Sequence, residues 1–288
     1  FAEDPLRILR VARFAARFAN KSFVVADETM ALMKIMVSDG EVDHLVPERV
    51  WKEMSRALME SSPHVFFEAL RSSGALKVLL PEVDSLFGVP NPESWHPEID
   101  TGIHSMMVLQ QCAQNNASLA VRFACLLHDV GKGLTPEDKL PSHPGHEKSG
   151  LSLVEAVCKR LKVPNECADL ARLVCEFHTH IHIAFELKAS TILKLFNQLD
   201  AWRKPERFKA FLLACECDAT GRTGFEQASY PQSDYLLNCF EKAQKINAKP
   251  FVEKGFQGKA IKEQMDMARI HLLQQIKDEW RSESENED

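Results

Sequence analysis

Apolar residues recur three and four positions apart along almost the whole chain, and no stretch alternates with period two for long enough to make a strand. Ile8, Val11, Ala15 and Phe18 show the spacing near the N-terminus. Proline and glycine supply the punctuation. Pro47 and Pro63 stand where a first helical turn tolerates proline, and Gly74 stands where the second of these helices should stop. Asp27 reads as the cap of a helix beginning at Glu28. The expected fold is all-α. A stretch rich in Pro, Asn and Ser, Phe87 to Asp100, reads as a linker. It divides the chain into a helical neck and body over 1–90, a second helical domain over 91–221 and a helical tail over 222–288.

No apolar run approaches the ~20 residues of a membrane span, so no membrane partner is expected. The net charge of -6 excludes a purely electrostatic nucleic-acid binder. The charge is uneven, however: Arg7, Arg10, Arg13, Arg17 and Lys21 crowd the N-terminal segment against Glu3 and Asp4, while the stretch from Ser282 to Asp288 is acidic and expected to be disordered. Eight cysteines lie on apolar-looking helices, the pattern of buried free thiols in a reducing cytoplasm. The chain opens on Phe1 inside a helical pattern and reads as a fragment of a longer protein. Homo-oligomerisation is left open.

Two strings carry chemistry. The first is Leu126-Leu127-His128-Asp129-Val130-Gly131-Lys132-Gly133, where an apolar helix delivers a His-Asp pair just before glycines. Neighbours on a regular helix point about 100° apart and converge best at a helix end. His104 lies on an upstream apolar helix and Asp218 on a downstream one. Imidazoles mixed with carboxylates suit a divalent ion such as Mn, Co, Ni or Mg, which can activate water and polarise a phosphoryl oxygen. Taken singly, each of these residues is more often a structural histidine or a helix-end ion pair; the set is harder to read that way. His143, His146, His178 and His182 could form a second rim for phosphate or metal, His178 and His182 sharing one face if that segment is helical.

The second string is Glu3-Asp4-Pro5-Leu6-Arg7-Ile8-Leu9-Arg10-Val11-Ala12-Arg13-Phe14. Asp4, Arg7, Arg10 and Arg13, three apart, form a slowly drifting polar stripe beside an apolar flank. A carboxylate and a guanidinium can together read a base edge, and further arginines can hold triphosphate oxygens. The same stripe is equally a solvated basic face with Asp4 capping a helix.

The His104, His128-Asp129, Asp218 pattern resembles the HD phosphohydrolase superfamily. That resemblance implies a metal held by these four residues, phosphoester hydrolysis carried by His128, Asp129 and Lys132, and a contact from Lys132 to substrate phosphate. The arginine string resembles the nucleotide-recognition helix of class II CCA-adding enzymes and bacterial poly(A) polymerases. It implies that Asp4 and Arg7 template the incoming C or A and that Arg10 and Arg13 contact bound CTP or ATP. The string Pro47-Glu48-Arg49-Val50-Trp51-Lys52-Glu53 resembles the neck motif of the same enzymes, with Arg49 and Glu53 spaced to pair. Trp95 to His104, Ala201 to Pro205 and Gly221 to Glu226 extend the similarity to the multifunctional CCA proteins of Gram-negative bacteria, over nearly the whole chain.

What this resemblance implies is part of a tRNA nucleotidyltransferase that adds CCA to tRNA 3′ ends, with tRNA, CTP and ATP as partners. It also implies phosphatase and 2′,3′-cyclic phosphodiesterase activity at the HD site. The family's catalytic head carries a Gly-Gly loop and an Asp-x-Asp pair for magnesium; neither string occurs in this sequence, so nucleotidyl transfer is expected from a part not included here. Two rivals are a stand-alone HD hydrolase of nucleotides, which would need neither the arginine stripe nor the neck strings, and a non-catalytic body that grips tRNA.

Overall fold

A computed structural model describes residues 4–287, with side chains through residue 282. The described residues contain helices and turns and no strand, only an isolated bridge between Pro90 and Asp100. The all-α expectation therefore stands. Packing separates two compact units. The first comprises residues 1–178 and 213–228, the second residues 179–212 and 229–288. This grouping differs from a division at 90 and 221, because the neck helices and the first helices of the second domain share one core.

The first unit opens with α1 (Leu6–Phe18), α2 (Asp27–Ser38), α3 (Pro47–Leu58), α4 (Pro63–Ser73), α5 (Ala75–Leu79) and α6 (Pro81–Asp84). α1 buries Ile8, Leu9, Ala12, Ala15 and Ala16 against α3 and α4, whose Val50, Met54, Phe66 and Phe67 are equally buried. Pro47 and Pro63 occupy first turns as expected, and Gly74 ends α4 in the left-handed region at φ 84°. Asp27 begins α2 itself rather than capping it; Ala26 is the cap residue and no side chain bonds there.

Next come α7 (Thr101–Gln114), α8 (Leu119–Leu127) and α9 (His146–Leu161), then α10 (Asn165–His182), α11 (Ala189–Gln198) and α12 (Pro205–Thr220). Asp100 caps α7 through Ile103 N, and Ser118 caps α8 through Val121 N. Arg122 on α8 fixes that helix to the neck. Its guanidinium donates to the carbonyl oxygens of Ala117, Leu58 and Glu60 at 2.9, 2.7 and 3.0 Å, satisfying orphan acceptors at the end of α3. Trp51 of α3 packs edge-on against Phe123 of α8.

The stretch expected to be a linker is folded onto the start of α7. Asn91 N donates to Ile99 O, and Thr101 N donates to Val89 O. Asn91 is buried, and Glu98 has a side chain only 3% exposed.

The second unit holds the end of α10, α11, the first turns of α12, α13 (Pro231–Gln244), α14 (Lys249–Glu253) and α15 (Lys259–Glu287). Its core is aromatic: Phe196, Trp202, Phe208 and Phe240 form one cluster, and Phe185, Tyr235 and Trp280 another. The acidic stretch expected to be disordered continues α15 as far as Glu287, and Asp288 lies outside the described residues.

Candidate metal centre

α8 ends at Leu127, and the chain then tightens into a short 3-10 turn, Val130–Leu134. His128 and Asp129 sit at this change of pitch, so two adjacent residues face the same point. Gly131 permits the next approach. A Cβ there would collide with His146 O and lie 2.7 Å from Gly150 N, so only glycine lets the N-terminal turn of α9 lie against the 3-10 turn. His146 comes in on that turn, His178 on α10, His104 on α7 and Asp218 on α12.

Among the described residues three groups could hold a metal ion: His96, Glu98 and His104; His104, His128 and Asp218, which shares His104 with the first; and Asp129, His146 and His178. His104 Nε2 is 2.9 Å from Asp218 Oδ1, and His128 Nε2 is 3.3 Å from the same oxygen. Asp129 divides its oxygens. Oδ2 faces His128 Nε2 at 3.2 Å and Lys132 Nζ at 2.7 Å, while Oδ1 faces His146 Nε2 at 3.3 Å and His178 Nε2 at 3.5 Å. Lys132 Nζ also donates to Asn91 Oδ1 at 3.0 Å.

Three imidazoles have their protons assigned by the backbone. His128, His146 and His178 direct Nδ1 at the carbonyl oxygens of Cys125, His143 and Val174, at 2.7, 2.9 and 2.9 Å. A carbonyl only accepts, so Nδ1 carries hydrogen and Nε2 turns its lone pair inward. His128 Nε2, Asp129 Oδ1 and His146 Nε2 are buried and have no hydrogen-bond partner, although neighbours lie within 3.5 Å. Lone pairs that converge without hydrogen-bond alignment fit a cation. The 2.9–3.3 Å separations match the edge of a coordination shell with bonds of about 2.1 Å, roughly 3.0 Å.

The electrostatics agree with that fit. Burial alone would push the His128 imidazole down, but the charges of Asp129 and Asp218 hold it well above its usual range. Burial would raise Asp129, yet His128 and Lys132 hold it well below. His178 falls, chiefly through burial. A divalent ion would take the place of the protons that now compensate these carboxylates.

Two residues outside the expected set belong to this neighbourhood. Glu98 Oε1 lies 2.9 Å from His104 Nδ1, a short but bent contact, and 3.0 Å from His96 Nδ1. Asn91 meets Lys132. His143, expected on a second rim, instead bridges Thr135 Oγ1 at 2.8 Å and Pro90 O at 3.0 Å. His182 belongs to the second unit, with Nδ1 2.8 Å from Tyr230 Oη.

On α1, Arg10 is exposed, Arg7 half-buried and Arg13 buried. Arg13 Nε donates to Glu53 Oε2 at 2.8 Å, and Arg49 reaches Asp4 Oδ2 at 3.0 Å. The expected pairing of Arg49 with Glu53 is thus replaced by two pairs that cross from α3 to α1. Asp4 also accepts from Leu6 N, as a capping residue would, and this bond lowers its pKa despite some desolvation. Glu3 lies outside the described residues. A cleft of about 320 Å³ is lined by Arg10, Arg13, Arg49, Lys52 and Arg56, with Glu53 at its wall.

Residues 22–87 match the family described as the probable RNA and SrmB-binding site of polymerase A, and residues 101–216 match the HD domain. The multifunctional CCA protein of Thioalkalivibrio sulfidiphilus is 58% identical over 280 residues, covering 97% of this chain and 68% of that protein. The multifunctional CCA protein of Ectopseudomonas mendocina is 56% identical over 277 residues, with 96% and 68% covered. A solved complex of a CCA-adding enzyme with CTP superposes with a TM-score of 0.58 at 16% identity, over 99% of this chain and 61% of that one, a likeness of fold. The chain spans about two thirds of the length of the relatives it matches in sequence.

Proposed function

The chain belongs to the family of multifunctional CCA proteins, and from that membership we propose that its cluster of histidines and aspartates is a metal-dependent phosphoester hydrolase, acting on phosphomonoesters or 2′,3′-cyclic phosphates at an RNA or nucleotide end. The observation that carries the reading is the convergence of His128 Nε2, Asp129 Oδ1 and His146 Nε2, buried, close together and without hydrogen-bond partners.

His104, His128, Asp129 and Asp218 would hold a divalent ion, Ni, Co, Mn or Mg, with His146 and His178 completing a second group around Asp129 Oδ1. A bound ion supplies Lewis acidity toward a phosphoryl oxygen and makes a water in its shell more acidic. The chain's own groups do the rest. Asp129, with Oδ2 toward His128 and Oδ1 toward His146 and His178, would link the two groups. Lys132, a cation held by Asp129 and Asn91, faces developing negative charge on phosphate oxygens. Neutral imidazoles are kept in one tautomer by Cys125, His143 and Val174.

The test is hydrolysis of 2′,3′-cyclic AMP and of p-nitrophenyl phosphate by this chain with Mg, Mn, Co and Ni, beside Asp129→Ala. Turnover that needs the metal and disappears in the variant supports the reading. Turnover that persists in Asp129→Ala overturns the assignment to this cluster, and absence of turnover with every metal overturns it in favour of a tRNA-gripping body.

The whole protein, in this proposal, adds CCA to tRNA 3′ ends from CTP and ATP in a reducing cytoplasm, with magnesium used in a catalytic part beyond these residues. Asp4, Arg7, Arg10 and Arg13 would face the nucleotide, a role that the cationic cleft beside α1 supports for Arg10 and Arg13, which line it. Titration of this chain with CTP and ATP, beside Arg10→Ala, tests that role.

A further inference from the structure

Three of the inward-facing histidines are oriented by backbone carbonyls; His104 is not. Its Nδ1 meets the Glu98 carboxylate at 2.9 Å, inside a side-chain environment 0% exposed for His104 and 3% for Glu98. Glu98 is gripped from further sides. His96 Nδ1 lies 3.0 Å from Oε1, and Thr223 N donates to Oε2 at 3.2 Å. Thr223 follows the end of α12, the helix that carries Asp218. One carboxylate therefore touches the ring of His104 and the chain just beyond Asp218, the two residues that meet at 2.9 Å across the centre. The backbone bends to present it: Ile99, a β-branched residue, adopts φ 61°, in the left-handed region that such residues avoid.

We infer that Glu98 is a positioning residue of the metal centre: it accepts from the Nδ1–H of His104, which leaves the Nε2 lone pair turned toward Asp218 and the ion, and it locks the His104–Asp218 spacing through Thr223. This rests on the metal reading of the centre. A carboxylate in this role differs in kind from the carbonyls behind the other imidazoles. It adds charge, makes the ring a stronger donor and lends His104 a tighter hold on the ion. His96 is then a neighbour of the carboxylate and not a ligand, although His96, Glu98 and His104 form a group close enough to hold an ion of their own.

The experiment is a competition titration of the purified chain with a chromophoric chelator, using Mn and Ni as probes. It compares the parent with Glu98→Ala, Glu98→Gln and His96→Ala, alongside ¹⁵N spectra of the histidine rings. We expect affinity to fall about 10–100-fold in Glu98→Ala and less in Glu98→Gln, which keeps an acceptor for Nδ1–H, with the number of ions bound unchanged. We expect His96→Ala to stay within about threefold of the parent, well inside the loss that removal of an orienting carboxylate brings. The His104 ring should report an Nδ1–H tautomer in the parent and lose it in Glu98→Ala. Circular dichroism and melting of each variant identify misfolding, and Glu98→Gln serves if Glu98→Ala does not fold. A parent that binds metal as tightly as both Glu98 variants overturns this inference alone. His96→Ala losing one equivalent of metal overturns it by making His96 and Glu98 ligands. A parent that binds neither ion removes the metal reading and this inference together.

Discussion

Arg13 on α1 donates through Nε to Glu53 on α3 at 2.8 Å, with side chains only 10% and 8% exposed. The neighbouring pair, Asp4 with Arg49, joins the residue just before α1 to α3 at 3.0 Å but is 34% and 51% exposed. The two contacts look alike in a list of ion pairs and differ in what they do. The buried one sets how α1 lies on α3; the exposed one is screened by water.

Removing Glu53 leaves a guanidinium buried without its partner. Glu60, 3.9 Å away, offers partial replacement, so Glu53→Ala should cost about 3 kcal/mol, the low end for breaking a buried pair. At roughly 2–4 °C per kcal/mol the Tm should fall by about 6–12 °C. Arg49→Ala should change it far less. Equal losses in the two variants, measured by thermal denaturation, would contradict the distinction.

Lys132→Ala should separate binding from turnover. A cation 2.7 Å from Asp129 Oδ2 competes with an ion for that oxygen, so its removal should tighten metal binding modestly. Loss of a charge facing phosphate should lower kcat by about 10²–10³-fold. Parallel chelator competition and turnover measurements read the two effects; weaker metal binding in the variant would show that Lys132 supports the ion and not the substrate.

Gly131→Ala tests the approach of α9. The added methyl meets backbone atoms of His146 and Gly150, which cannot rotate away. Overpacking of this kind costs about 1–3 kcal/mol. Because it displaces the turn bearing His146, metal affinity should fall along with the Tm. An Ala variant that keeps both would mean the turn is slack.

The thiols should be quiet near neutral pH. Burial, helped by the charges of Cys167 and Glu155, pushes half-buried Cys158 to about 11, and burial pushes Cys175 and Cys239 to about 12. The reactive thiolate fraction of Cys158 then climbs ~10-fold per pH unit well below its pKa. Iodoacetamide labelling followed by peptide mass spectrometry, from pH 7.5 to 9.5, should follow that slope at Cys158. Rapid labelling of it at pH 7.5 would refute the shift.

Much of this was legible in the sequence. The helical period, the prolines in first turns and the His128-Asp129 pair at a helix end all follow from local rules. His104 and Asp218 lie far along the chain from that pair; their donor chemistry suggested the set and the family resemblance strengthened it. Glu98 and Asn91 were hidden by their context, since a Pro- and Ser-rich stretch looks like a linker until its backbone is seen bonded to α7. The arginine stripe showed its spacing and hid its depth. Spacing by three on a helix of 3.6 residues per turn rotates Arg13 about 120° from Arg7. That carries Arg13 off the solvent face and into the pair with Glu53. His182 keeps its helical face, but its ring meets Tyr230 Oη.

The backbone oxygens of Cys125, His143 and Val174 behind three of the imidazoles have a consequence for any attempt to re-engineer the centre. A peptide carbonyl cannot be substituted away by changing a codon. The donor atoms of His128, His146 and His178 are in effect written into the main chain, out of reach of ordinary mutation. Among the imidazoles, drift or design can retune preference among metals only where a side chain does the orienting, and on the inference above that leaves His104, through Glu98, as the adjustable one.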